Sequence, residues 1–156
     1  MTDSIYEEKL RVWLRDNAVR AEHLSFNQSC HSVAEAAEAA GVTPEDFIKS
    51  ICLMAEDGSL IVAVVKGEDR AGMKLVGRAL GIATPRLATP DEMLTLSGYP
   101  CGGTPPFGFA ARFVMDERVF EKEVIYGGGG SATSLVQIAP AEMARVNGGV
   151  TAKIRK

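Results

Sequence analysis

Lys49 stands near the start of an apolar run, "FIKSICLMA" (47–55), that has the length and composition of a buried strand. A buried ammonium costs several kcal/mol unless it is paired, hydrogen-bonded or neutralised. In an extended chain Lys49, Ile51, Leu53 and Ala55 share one face, and Ser50, Cys52 and Met54 the other. The lysine therefore has two readings. Either its stem lies along the core while its head reaches water, or the ammonium sits at a pocket rim, where low dielectric strengthens its hold on a polarised or anionic oxygen.

Two glycine-rich stretches could supply partners for such a charge. "GYPCGGTPPFG" (98–108) sets Gly102 and Gly103 beside Pro105 and Pro106, so backbone free to approach a ligand adjoins backbone that is stiff; its plain alternative is a tight connection. "YGGGGSATSL" (126–135) has dinucleotide-like spacing, but the strand pattern of Thr133, Val136 and Ile138 follows where a helix should, and no Lys-Ser/Thr pair makes it a P-loop. It reads as a glycine turn whose amides can cradle an oxyanion, or as an ordinary hairpin turn. His23 and His31 lie in no metal or triad spacing and read as surface or capping residues. Cys101 has no base beside it and reads as a small buried thiol. Arg70, Lys74 and Arg78, with Lys66 upstream, form a basic row that is by default a solvated helix face and otherwise a phosphate contact.

Local signals fix the elements that must position these residues. Ser4 with Glu7 reads as a capping box opening a helix to about residue 17 that packs through Trp13. A strand at 22–26 and a helix capped by Ser32 and Glu35 and stopped by Gly41 follow. "TPED" (43–46) makes one helical turn into the Lys49 strand, which "EDGS" (56–59) joins to "LIVAVVKG" (60–67) as an antiparallel hairpin. Helices are expected at 70–80, from "TPDE" (89–92) to Gly98, and from "APAE" (139–142), with strands at 110–115, 123–126 and 134–139 and a closing segment at 149–154. Without regular strand-helix-strand alternation the class is α+β, and six or seven such strands suit a mixed β-barrel with flanking helices.

The chain of 156 residues, 46% hydrophobic and 24% charged, suits one domain over 1–156. Three cysteines in unlike contexts suggest reduced thiols, a cytoplasmic location and no metal. No signal peptide or membrane span is read. A net charge of -3 gives no general attraction for nucleic acid, so a polyanion must meet a local basic patch.

Together and in this order, "SVAEAAEAAGV" (32–42), "IKS", "VVKGEDR", "GYPCGGTPPFG" and "YGGGGSATSLVQIAPAEM" (126–143) resemble the YbaK/ProX family of aminoacyl-tRNA editing domains, also found inserted in bacterial prolyl-tRNA synthetases. The resemblance implies a mixed β-barrel with flanking helices and a cofactor-free deacylase that hydrolyses the ester between a wrong, small amino acid and a tRNA, tRNA(Pro) or a related one. It maps the family's lysine onto Lys49, its Gly-x-x-x-Pro loop onto Gly102 to Pro106, and its later turn onto Gly128 to Gly130. Ser50 stands where threonine is common, and Cys101 occupies a variable position. On this reading Lys49, Gly102 and Gly103 are catalytic, and Ile51, Thr104, Pro105, Pro106, Gly128, Gly129, Gly130 and Ser131 surround the substrate, with Phe107 helping to shape a size test. Lys66, Arg70, Lys74 and Arg78 meet tRNA. The partners implied are the acceptor end of an aminoacyl-tRNA and a synthetase, with no DNA or membrane. The rival reading is a non-catalytic tRNA- or synthetase-binding module of the same fold; a phosphate binder resting on the glycine run alone is the third.

Overall fold

The computed structural model describes residues 2–30 and 32–156, with side chains from residue 5 onward; His31 lies outside the described residues. Helix α1 (Thr2–Asp16) leads to strand β1 (Ala21–Ser25), helix α2 (Val33–Ala40) and a 3-10 turn (Pro44–Asp46). The hairpin β2 (Ile48–Met54) and β3 (Leu60–Lys66) follows, then α3 (Met73–Leu80), the short β4 (Arg86–Leu87) and α4 (Pro90–Ser97). After β5 (Arg112–Asp116) and a second 3-10 segment (Glu117–Glu121) come β6 (Ile125–Gly128), β7 (Ser134–Ile138), α5 (Pro140–Asn147) and β8 (Val150–Ala152).

The α+β class holds, but the strand arrangement differs from a six- or seven-stranded barrel. Among the described residues, eight strands form two sheets in the orders β1-β7-β6 and β4-β2-β3-β5-β8. A parallel bridge from Phe47 to Tyr126 links their margins. The β2–β3 pairing is antiparallel with Lys49 opposite Val65, whereas β5 pairs in parallel with both β3 and β8.

Side-chain alternation on β2 and β3 separates two apolar layers. Ile48, Cys52, Met54, Val62 and Val64 face a core shared with Leu10 and Leu14 of α1 and with Tyr99, Phe107 and Val136. Leu53, Ala63 and Val65 face Val76 of α3 and Ile154, with Ile51 packed at the margin. A smaller cluster joins Ala36 and Ala37 of α2 to Phe47 and Leu135. The small residues of α2 thus let it lie close to the junction of the two sheets.

Several local signals act as expected. Ser32 Oγ accepts the Glu35 amide at 3.1 Å, and Gly41 ends α2 at φ 69°. Thr89 and Glu92 cap α4 reciprocally before Gly98 stops it. The Ser4 signal does not act as expected: α1 already begins at Thr2, so Ser4 lies inside the helix.

The C-terminal segment is fastened by a buried carboxylate. Asp116, with no exposed surface, accepts the amides of Ile154 at 2.9 Å and Arg155 at 3.0 Å, the Arg118 amide at 3.0 Å and the Arg155 guanidinium at 3.1 Å. Burial pushes this carboxyl up, and the donors outweigh it, so the net direction is down. A folded value below the unfolded one means that the stabilisation is present above about pH 4 and is lost as pH falls through the folded value. Asp116→Asn, which leaves several buried donors poorly matched, is expected to cost about 2–4 kcal/mol in urea unfolding at pH 7. The difference from wild type should shrink in acid.

Candidate active site

Lys49 enters the site because β2 begins beside the sheet junction. It is half-buried and lines a cavity of about 190 Å³ together with Gly102, Thr104, Gly127 and Gly128. Among the described residues, Lys49 is the only lysine, arginine or carboxylate in that lining. No carboxylate among the described residues pairs with it, so its ammonium is left for a ligand.

The two glycine stretches meet at this cavity. In the first, the Gly103 amide and Thr104 Oγ1 both donate to the Pro100 carbonyl, each at 3.2 Å, and Gly102 takes φ +91°. In the second, the Gly129 amide donates to Ser134 O at 3.2 Å, and the Gly130 amide crosses to Gly103 O at 2.7 Å. The contact is backbone against backbone: a Cβ on Gly103 would lie 2.6 Å from Ser131 N and 2.7 Å from the Gly130 carbonyl carbon.

This geometry corrects the assignment of amides. The Gly103 and Gly129 amides close their own turns and the Gly130 amide joins the two, so none of the three is available to a developing oxyanion. The amides of Gly102 and Thr104 donate to no recorded acceptor among the described residues, and both residues line the cavity. They are the donors that the site can aim at charge.

Other expected residues move away from the cavity. Ile51 packs in the layer beneath α3. Pro105, Pro106 and Phe107 are buried behind the loop, where the Pro106 carbonyl accepts Asn147 Nδ2 at 3.2 Å and Phe107 stacks on Trp13 at 5.5 Å. They seat the loop and do not form the wall of a size test. Gly128 and Thr104 stay in the lining; Gly129, Gly130 and Ser131 stand behind it.

Lys66 is a further correction. It is buried, with Nζ 2.9 Å from Glu68, and does not join a solvated basic row. Its alternation with Val62 and Val64 points it inward. Arg70 precedes α3, which carries Lys74 and Arg78; all three are exposed and join no ion pair among the described residues.

Sequence reading missed the half-buried His23 beneath the glycine turn. Its Nε2 lies 2.7 Å from Gly129 O, so Nε2 carries the proton, and Nδ1 is buried without a partner among the described residues. Burial lowers its pKa, opposed by the Gly129 bond, and the net shift is down, which keeps the ring neutral at pH 7. Ser50, Cys30, Met93 and Ser134 of the lining were also missed. Cys101 is exposed at the rim. The Cys52 thiol is pushed up to about 11 by burial and by Cys101, against a hydrogen bond with Thr104, and stays protonated at pH 7.

The chain belongs to the aminoacyl-tRNA editing domain family, whose model matches residues 27–146. The uncharacterized protein YwhH of Bacillus subtilis (strain 168) is 28% identical over 133 residues, covering 84% of this chain and 82% of that protein. A proline--tRNA ligase of Acidithiobacillus ferrooxidans (strain ATCC 53993 / BNL-5-31) is 30% identical over 71 residues, covering 46% of this chain and 12% of the ligase. The crystal structure of a candidate trans-editing enzyme for prolyl-tRNA synthetase superposes with a TM-score of 0.89 at 24% identity, covering 97% of each chain. At that identity the superposition speaks for the fold.

Proposed function

We propose that the protein is a trans-editing aminoacyl-tRNA deacylase that removes a wrong, small amino acid from tRNA(Pro) or a related tRNA. The observation that carries this reading is Lys49, the sole formal charge of the lining among the described residues, placed with the amides of Gly102 and Thr104. The ammonium holds the ester carbonyl or the neighbouring phosphate. The two amides take up the negative charge that develops on the carbonyl oxygen, in a setting where water is partly excluded. Water adds to the acyl carbon and the ester oxygen leaves with a proton, releasing amino acid and tRNA. The proton passes through the neighbouring ribose hydroxyl or a bound water, which suits a cavity whose lining, among the described residues, offers no carboxylate or histidine. A second site with its own size test is what a synthetase needs, since one methylene changes selectivity only about 10- to 200-fold.

The deciding experiment incubates the protein with tRNA(Pro) charged with alanine, serine, cysteine or proline and follows ester loss. Turnover of one or more of the three mischarged forms, with prolyl-tRNA spared, supports editing. Tight binding without turnover supports the non-catalytic module.

The acceptor stem is assigned to the exposed row Arg70, Lys74 and Arg78, without Lys66. Lys74→Glu with Arg78→Glu is expected to raise KM for the full tRNA about 10-fold at low salt and to flatten its salt dependence. Hydrolysis of a short aminoacyl-nucleoside ester should be unaffected. The assigned partners are thus the tRNA acceptor end and, for delivery, a synthetase, with the cytoplasm as the place of action.

A further inference from the structure

A cavity whose lining charge, among the described residues, is a lone cation poses a problem for the proposed substrate. An aminoacyl ester carries its own α-ammonium group, and two like charges in a low-dielectric pocket repel. Something in the wall must accept that group.

A buried carboxylate behind the glycine turn supplies the missing polarity. Glu7 of α1 is 8% exposed. Its Oε1 accepts Ser25 Oγ at 2.5 Å and the Arg11 guanidinium at 3.3 Å, and its Oε2 accepts Ser131 Oγ at 2.9 Å. Burial pushes the Glu7 carboxyl up, but the bonds from Ser25 and Ser131 and the nearby His23 and Arg11 bring it below its ordinary value, so it is ionised at pH 7.

An ionised carboxylate only accepts, and this sets the direction of every hydroxyl behind it. The Ser131 proton points to Glu7, so Ser131 Oγ accepts from the Thr133 amide at 3.2 Å and from Ser134 Oγ at 2.8 Å, which lies nearer than the competing Thr133 Oγ1 at 3.3 Å. The Ser134 proton is thereby committed, while its oxygen also accepts the Ser131 amide at 3.1 Å. One lone pair of Ser134 is left, on a residue that lines the cavity. Ser134 is 1% exposed, so this acceptor, polarised by a buried negative charge, lies at the back of the cavity wall.

We propose that Glu7, acting through Ser131 and Ser134, makes this wall the seat of the substrate's α-ammonium group, with Ser134 Oγ accepting its hydrogen bond. The inference rests on the deacylase reading and adds to it a requirement for a free α-amino group. Ser134 touches the substrate; Glu7 and Ser131 are positioning residues. The carboxylate and Lys49 then form opposite poles that orient the acyl group.

The test compares alanyl-, seryl- and cysteinyl-tRNA(Pro) with their deaminated α-hydroxy counterparts, each rate corrected for uncatalysed hydrolysis. Wild type is expected to favour the α-amino ester about 10-fold or more, the scale of one hydrogen bond involving a charged group. Glu7→Gln keeps the shape and removes the charge. It should abolish most of this preference while leaving the α-hydroxy rate within about threefold of wild type. Ser134→Ala should abolish the same preference, and it decides the matter if Glu7→Gln fails to fold. An unchanged preference in the folded variants, or equal losses on both esters, overturns the proposal, the latter marking Glu7 as mere scaffold. If wild type hydrolyses neither ester, the deacylase reading itself fails and this inference falls with it. Hydrolysis of both with unaltered selectivity in the variants refutes the α-ammonium seat alone.

Discussion

Lys49→Ala is expected to lower kcat/KM for a mischarged tRNA by about 100- to 1,000-fold, the loss typical of removing one aimed charge or donor from a site that stabilises an oxyanion. The fold should survive. Lys49 sits at the strand margin, half-buried and paired with no carboxylate, so its removal orphans no buried partner. Lys49→Arg is not a rescue, because a planar guanidinium cannot place a point charge where an ammonium stood. Single-turnover hydrolysis at saturating enzyme, with thermal unfolding as a control, checks the prediction. A folded Lys49→Ala protein that hydrolyses at the wild-type rate would remove the lysine from the mechanism.

Gly103→Ala is expected to damage both the site and the fold. The added methyl meets Ser131 N at 2.6 Å, the Gly130 carbonyl carbon at 2.7 Å and Ser131 Cα at 2.8 Å, all backbone atoms that no rotamer change can move. The two turns must part, and the bond from the Gly130 amide to the Gly103 carbonyl lengthens with them. Overpacking of this kind costs about 1–3 kcal/mol, which in a chain of this size lowers Tm by roughly 3–10 °C. A displacement near 1 Å of the adjoining Gly102 and Thr104 amides should slow hydrolysis by about 100-fold. Calorimetry and a rate measured well below the new Tm separate the two effects. A normal rate at normal stability would mean that the turns are looser than their contacts imply.

Local chemistry was legible in the sequence, and long-range chemistry was not. Ser32 and Glu35, Thr89 and Glu92, and Gly41 and Gly98 act within a few residues of themselves, so caps and stops could be read directly. The β2–β3 hairpin is equally local. The parallel partners of β5 come from β3 and β8, far apart in the chain, and no alternation pattern encodes that choice. Two errors had a readable sign. Lys66 alternates with Val62 and Val64 and so belonged inside, and Glu7 shares the apolar face of Leu10 and Leu14 at helical spacing.

For the site itself, Lys49 and the two glycine turns stood out by residue type, whereas the contact between the turns, made across the fold, did not. Which amides remain unengaged was not legible either, since Gly103, Gly129 and Gly130 are told from Gly102 only by the partners they find in the fold. Nor could composition reveal that Pro105, Pro106 and Phe107 are buttresses and not walls.

The stacking of Trp13 on Phe107 gives the molecule a built-in optical gauge. The chain has a single tryptophan, and its ring lies 5.5 Å from that of Phe107 with 12° between the planes. Phe107 directly follows the prolines of the reactive turn, so any ligand or substitution that shifts the turn must also disturb the indole's surroundings. Intrinsic emission therefore reads out the seating of that turn without a label.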